Sequence, residues 1–331
     1  MNSTPNTQAS LTPEEADQLM QNSNARFDAG GNETGGVSQS VAAVFKQITV
    51  ATGGATLRLG GQANAGLRKS RVLHMILLVD QSGSMLGDSA QVVDGLNDFM
   101  SEMAKPSNPE RDAIEVSVWL FNNNSATVMS VDDPDYDPKQ PVSPTNNPRM
   151  ELLNMPVVLV PRIKMSDYSA TGGTPLNKTI IAAFASGSYR NEKLAQGVFK
   201  NGTYTNRVAT QSFAIVITDG DNTLWEEFVS GSKIEYTNQL VQTVAAELRG
   251  TEMWTTAVIA AGASMTAEAL RSQLGFDLGF DIGSHDIRAA FGMASVVATT
   301  ASQAATGGGS VSQNANQIKT AGNAFLKKIK P

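Results

Sequence analysis

From Val72 to Val79 the chain reads VLHMILLV, a nearly continuous apolar run, and it stops on Asp80 with Gln-Ser-Gly-Ser behind it. A short run that is apolar at successive positions suits a strand covered by helices on both faces of a parallel sheet, where neither row of side chains meets water. Its last residue is a carboxylate. In open α/β sheets, binding groups collect in the crevice beyond the carboxyl ends of the strands. The run therefore restricts the fold class and also the edge on which a site would lie.

Further strands are expected at AIEVSVWLF (113–121), SFAIVITD (212–219) and MWTTAVIAA (253–261). Helical spacing relates Val92, Val93, Leu96, Phe99, Met100 and Met103, and helices are expected at PLNKTIIAAFASGSY (175–189), EYTNQLVQTVAAEL (235–248), TAEALRSQL (266–274) and DIRAAFGMASVVATTAS (286–302). Strands alternating with helices predict an α/β fold in three layers, a mostly parallel sheet flanked by helices. One main core with extensions accounts for the 331 residues.

The extensions read differently. Residues 1–69 begin with a helix signal over 13–27, in which Thr12 is the N-cap, Pro13 the first helical residue and Glu15 the capping-box acid. A linker DAGGNETGGVSQS and one or two short strands within 41–69 follow. Residues 304–331 open with AATGGGSVSQNANQ and carry Lys319, Lys327, Lys328 and Lys330 against no acid, which predicts a flexible basic tail. Leu19, Met20 and Phe27 at one end, and Phe325, Leu326 and Ile329 at the other, are apolar stripes, of which at least one is expected to dock on a neighbouring subunit or partner, the alternative being that they fold back on the core or stay disordered.

Composition narrows the chemistry. A net charge of -6 and a pI near 5.1 supply no basic field for nucleic acid. The absence of cysteine excludes disulfides, thiolate metal sites and cysteine nucleophiles. No apolar run reaches the roughly 20 residues that span a bilayer. The first residues have neither the basic start nor the apolar core of an export signal, so the chain reads as cytoplasmic, with a virion or leaderless export equally compatible.

Oxygen donors mark the expected strand ends and helix starts. Asp80, Ser82 and Ser84 lie in DQSGSM, Thr174 in TGGTP, and Asp219 closes FAIVITD before Gly220. Carboxylates and hydroxyls without histidine or cysteine favour a hard cation, Mg²⁺ first, with Mn²⁺ or Ca²⁺ also suited. Two carboxylates balance the charge while neutral hydroxyls leave the ion electrophilic. An open coordination position could then accept an Asp or Glu carboxylate from a protein partner.

Competing signals are weaker. Asp132, Asp133, Asp135 and Asp137 invite a calcium-loop reading, but from Asp133 the glycine position holds Pro138 and the twelfth holds Pro144. This acidic insert could still lie beside the metal edge and shape partner choice. Asp221, Glu226 and Glu227 are expected as rim charges, with Trp225 as a contact candidate. His74 is expected to be buried and satisfied, and His285 to sit in a polar turn. A phosphatase-type nucleophile at Asp80 would want a second aspartate two residues later, where Ser82 stands.

Asp80, Ser82, Ser84, Thr174 and Asp219, in this order and context, resemble the metal-ion-dependent adhesion site of von Willebrand factor A (VWA) domains. The resemblance covers about residues 70–303 and is greatest to bacterial intracellular VWA proteins of the tellurite-resistance, TerY-like type. It implies a Rossmann-like sheet, a divalent metal on its top edge, and protein binding without catalysis. It also implies that the serines and the threonine touch the ion directly while the aspartates act partly through water. The terminal extensions and the insert 130–154 depart from the simplest members. A Mg²⁺-dependent protein-interaction module is the leading expectation. The alternatives are a structural subunit of a larger assembly, such as a virion or secretion particle, and a metal-dependent hydrolase.

Overall fold

The computed structural model describes residues 71–122, 125–128, 152–196, 198–200, 203–205, 209–220, 222–223, 226–229, 232–251, 253–262, 265–282, 286–306 and 311–329. The expectations for residues 1–69, for Asp132 to Asp137, and for Asp221, Trp225 and His285 lie outside them.

The sheet is built on β1 (Arg71–Asp80), β2 (Ile114–Asn122), β7 (Ala209–Thr218), β10 (Trp254–Ala260) and β11 (Leu278–Asp281), all parallel, in the order β11-β10-β7-β1-β2. On the outer side of β2, two antiparallel strands share one edge. β3 (Ser125–Val128) pairs with its upper half, Trp119 to Asn122, and β4 (Leu152–Pro156) with its lower half, Glu115 to Val118. The insert therefore leaves and rejoins the sheet midway along β2, opposite Trp119 and Val118, and not at the strand's carboxyl end. Two small hairpins complete the strands, β5 (Val198–Lys200) with β6 (Thr203–Thr205) and β8 (Glu226–Val229) with β9 (Ser232–Glu235).

Strand β1 shows why its sequence is continuously apolar. Leu73, Met75, Leu77 and Val79 face a core with α1 (Ser89–Met103) and α5 (Ile287–Thr306). Ile76 and Leu78 face the opposite core with α2 (Leu176–Gln196), α3 (Asn238–Gly250) and α4 (Ala267–Leu274). Burial on both faces leaves no position for a polar alternate. The exception, His74, is 1% exposed, and its Nε2 lies 2.7 Å from Ser117 Oγ while Nδ1 is buried without a partner. Burial, and secondarily the Arg190 charge, push its pKa down to about 3. Arg190 is itself held by a bidentate pair to Glu115, Nε to Oε2 at 2.9 Å and Nη2 to Oε1 at 2.7 Å.

Beyond 304 the structure departs from the flexible tail expected of the sequence. Helix α5 continues to Thr306, and α6 (Val311–Ile329) packs along α5 and against β11. Asn314 and Gly322 are buried, and Ala315 and Ala321 half-buried, on the side of α6 that packs inward. Ile318 is 1% exposed, and a Cβ on Gly322 would lie 2.2 Å from Phe280 Cε1, so the ring occupies the space that glycine leaves. Gly292 of α5 makes the reciprocal allowance for Phe325, whose ring would stand 3.0 Å from an added Cβ. Lys327 and Lys328 fall in the last turn of α6, where cations complement the helix dipole. Among the described residues no helix is long and apolar enough to cross a membrane.

Candidate metal centre

Parallel pairing sets Val79 beside Ile217, so Asp80 and Thr218 end neighbouring strands at the same height. Asp80 is fully buried, and its carboxylate accepts from Thr218 Oγ1 through Oδ2 at 2.5 Å and from Ser82 N through Oδ1 at 2.8 Å. Beyond Asp80 the chain turns out of the sheet. Gln81 N donates to Phe121 O at 2.8 Å, and Gln81 O accepts from Thr171 N at 2.9 Å. Gly83 N then donates to Gly172 O at 2.8 Å, in a contact where a Cβ on Gly83 would stand 3.3 Å from that oxygen. Gly172 takes φ +71°, in the left-handed region that favours glycine. These two glycines let the DQSGS and TGGTP loops lie against each other.

Along this turn the serine hydroxyls converge. Ser82 Oγ and Ser84 Oγ are 2.9 Å apart, and Ser84 Oγ donates to Asp219 Oδ1 at 2.9 Å. Thr174 is 6% exposed, and its hydroxyl lies under Gly220, where a Cβ would come within 3.7 Å of Oγ1. Four of the five candidate ligands, Asp80, Ser82, Ser84 and Asp219, are thus joined in one hydrogen-bonded chain, and Thr174 abuts the residue after Asp219. Ser84 is exposed and the others are buried, so the cluster opens outward at one side.

The electrostatics favour a cation. Burial pushes the Asp80 pKa up to about 6, the hydrogen bonds from Thr218 and Ser82 offset part of that rise, and the nearby Asp219 charge adds to it. Among the described residues neither carboxylate has an ion-pair partner. Two close carboxylates, without a cationic side chain and bridged by neutral hydroxyls, fit a hard divalent ion. No three His, Cys, Asp or Glu side chains cluster among the described residues, so hydroxyls would have to complete the shell.

Two further residues support the site. Tyr168, 4% exposed, donates its hydroxyl to Asp80 O at 2.7 Å and thereby fixes the strand end. Thr218, directly before Asp219, holds Asp80 and also contacts Gly220 through its Oγ1. Neither is among the residues expected from the sequence. Thr218 is deducible from it, because parallel register places the residue before Asp219 beside Asp80; Tyr168 carries no local signal.

No protein-family profile matches the chain, and no curated protein matches it. Solved structures similar to it include the pilus adhesin SpaC from Lactobacillus rhamnosus GG in its open conformation, at 14% identity and a TM-score of 0.41, covering 80% of this chain and 31% of the adhesin. The chain thus spans less than a third of that protein's length. Proximal thread matrix protein 1 from the mussel byssus, in a form with a zinc-occupied MIDAS motif, is 15% identical with a TM-score of 0.34, covering 68% of this chain and 46% of that one. The SpRpn10 VWA domain is 14% identical with a TM-score of 0.33, covering 62% and 81% respectively.

Proposed function

We propose that the chain is a VWA-type protein-interaction module that binds a divalent cation, Mg²⁺ by preference, through Asp80, Ser82, Ser84, Thr174 and Asp219. The observation that carries this reading is the chain of contacts from Asp80 through Ser82 and Ser84 to Asp219, which gathers the sequence's oxygen donors at one sheet edge. A bound cation would supply an electrophile for a carboxylate from a protein partner. The chain's own residues hold the donors in place, bury Asp80 so that its charge demands a counterion, and leave Ser84 at the open side. Two carboxylates bridged by neutral hydroxyls, with no histidine or cysteine among the five residues, suit holding a hard cation, which favours a binding site as the reading. The finer likeness to TerY-like proteins rests on the resemblance over about residues 70–303.

Peptide-display selection against the immobilised full chain in Mg²⁺ tests the carboxylate. Enriched peptides are expected to share an Asp or Glu, to lose binding when it becomes Asn or Gln, and to elute with EDTA. Enrichment of peptides that lack an acidic residue and withstand chelation would refute the proposal.

A further inference from the structure

The loop after Asp219 is fastened to the start of α2 by residues outside the ligand set. Thr223 N donates to Thr174 O at 2.7 Å, and Thr174 N donates back to Thr223 Oγ1 at 3.1 Å. One step along, Asn177 N donates to Asn222 Oδ1 at 3.0 Å. The first amides of a helix have no acceptor within the helix, so Asn222 does for α2, from a distant loop, what an N-cap side chain does locally. Asn177 extends the tie. Fully buried, it donates through Nδ2 to Tyr236 O at 3.0 Å and to Asn238 Oδ1 at 2.8 Å, at the start of α3.

We propose that Asn222 and Thr223 are positioning residues of the metal edge, which clamp the Asp219 loop onto the first turn of α2 so that Thr174 and Asp219 reach the ion as one unit. The proposal rests on the metal-binding reading above. Thr174 stands two residues before α2 and Asp219 directly after β7, two elements that could otherwise shift separately, and an ion gains affinity when its ligands need no reordering. Thr223 is exposed and Asn222 half-buried, so neither is needed to fill the core. Thr223 bonds the backbone N–H and C=O of the ligand residue Thr174 itself, and Asn222 accepts from the Asn177 amide in the first turn of α2, which is what orientation requires.

Calorimetric titration of Mg²⁺ and Mn²⁺ into the full chain, with variants, tests this. Thr223→Val and Asn222→Ala are each expected to weaken binding about tenfold, the usual effect of losing a residue that orients a ligand. Thr223→Ser and Asn222→Asp keep an acceptor oxygen and should stay within about twofold of wild type. In a Thr174→Ala background, Thr223→Val should add less than about twofold, because the ligand it positions is already gone. Without metal, Asn222→Ala should speed hydrogen exchange at the Asn177 amide. Unchanged affinity in Thr223→Val and Asn222→Ala, full additivity with Thr174→Ala, or equal losses in the conservative variants would each overturn the clamp. A wild-type chain that binds neither ion would instead overturn the metal reading and the clamp's role with it.

Discussion

Ser84 Oγ donates to Asp219 Oδ1 at 2.9 Å, joining residues 135 positions apart across the sheet's carboxyl edge. Ser84 leaves β1 on a turn, and Asp219 follows the neighbouring strand β7. The contact exists because β1 and β7 are adjacent and parallel, which brings both strand ends to the same crevice. Fold and candidate site are therefore one consequence of topology.

Metal affinity should depend on pH through Asp80. Its pKa stands near 6 because of burial, so protons compete with the ion below that value. Mg²⁺ affinity is expected to fall about tenfold per pH unit below pH 6 and to level off above pH 7. Without metal the sign reverses. The raised pKa means that the folded state holds its proton more tightly than the unfolded chain, so Asp80's contribution to stability is present below about pH 4 and lost as pH rises through 6. Mg²⁺ titrations at pH 5, 6, 7 and 8 check the first limb and metal-free urea unfolding from pH 4 to 7 the second; a pH-independent affinity contradicts the one, and metal-free stability that is equal in wild type and Asp80→Asn at every pH, apart from a constant offset, contradicts the other.

His74 titrates in the opposite direction. Its folded pKa near 3 lies below the ordinary 6.5, so the unfolded chain takes up a proton first and stability falls between pH 6.5 and 3. The slope from this one group is about 1.4 kcal/mol per pH unit. Urea unfolding of His74→Gln across this range should show a shallower acid limb than wild type, whatever its absolute stability. Parallel limbs would show that His74 is protonated in the fold.

Tyr168→Phe deletes the hydroxyl that holds Asp80 O and leaves a buried carbonyl short of a partner. The expected loss is about 1–2 kcal/mol of stability. Mg²⁺ affinity should drop as well, because the Asp80 carboxylate leaves the strand from that same residue. A stability loss with affinity untouched would separate Tyr168 from the site.

Gly322→Val places side-chain atoms where the Phe280 ring lies. Overpacking of this kind costs about 1–3 kcal/mol, and here it should be concentrated in α6. Hydrogen exchange over 311–329 should rise in the variant while β1 and β7 stay protected. Rapid exchange throughout α6 in the wild-type monomer would instead restore the flexible tail.

Much of this was legible in the residues. Parallel strands buried on both faces leave long apolar runs, so β1, β2, β7 and β10 stood out, as did the helices between them. Strand β11 escaped because LGFD is four residues long with glycine inside, and β3 and β4 because each covers only half of β2. Helix α6 was misread for a physical reason: small residues that suit close helix packing, Gly322 against Phe280 above all, also compose linkers. At the site, strand-end oxygens announced themselves, whereas Tyr168, Asn222 and Thr223 act through backbone atoms that sequence pattern does not reveal.

Asp80, Ser82, Ser84, Thr174 and Asp219 are proposed to hold one divalent ion. Mn²⁺ binding to the full chain, followed by electron paramagnetic resonance and competed with Mg²⁺, tests this assignment most directly. One site per chain is expected, displaced by Mg²⁺ and absent from Asp80→Ala and from Asp219→Ala, with circular dichroism showing both variants folded. Mn²⁺ binding that persists undiminished in both folded variants would contradict it.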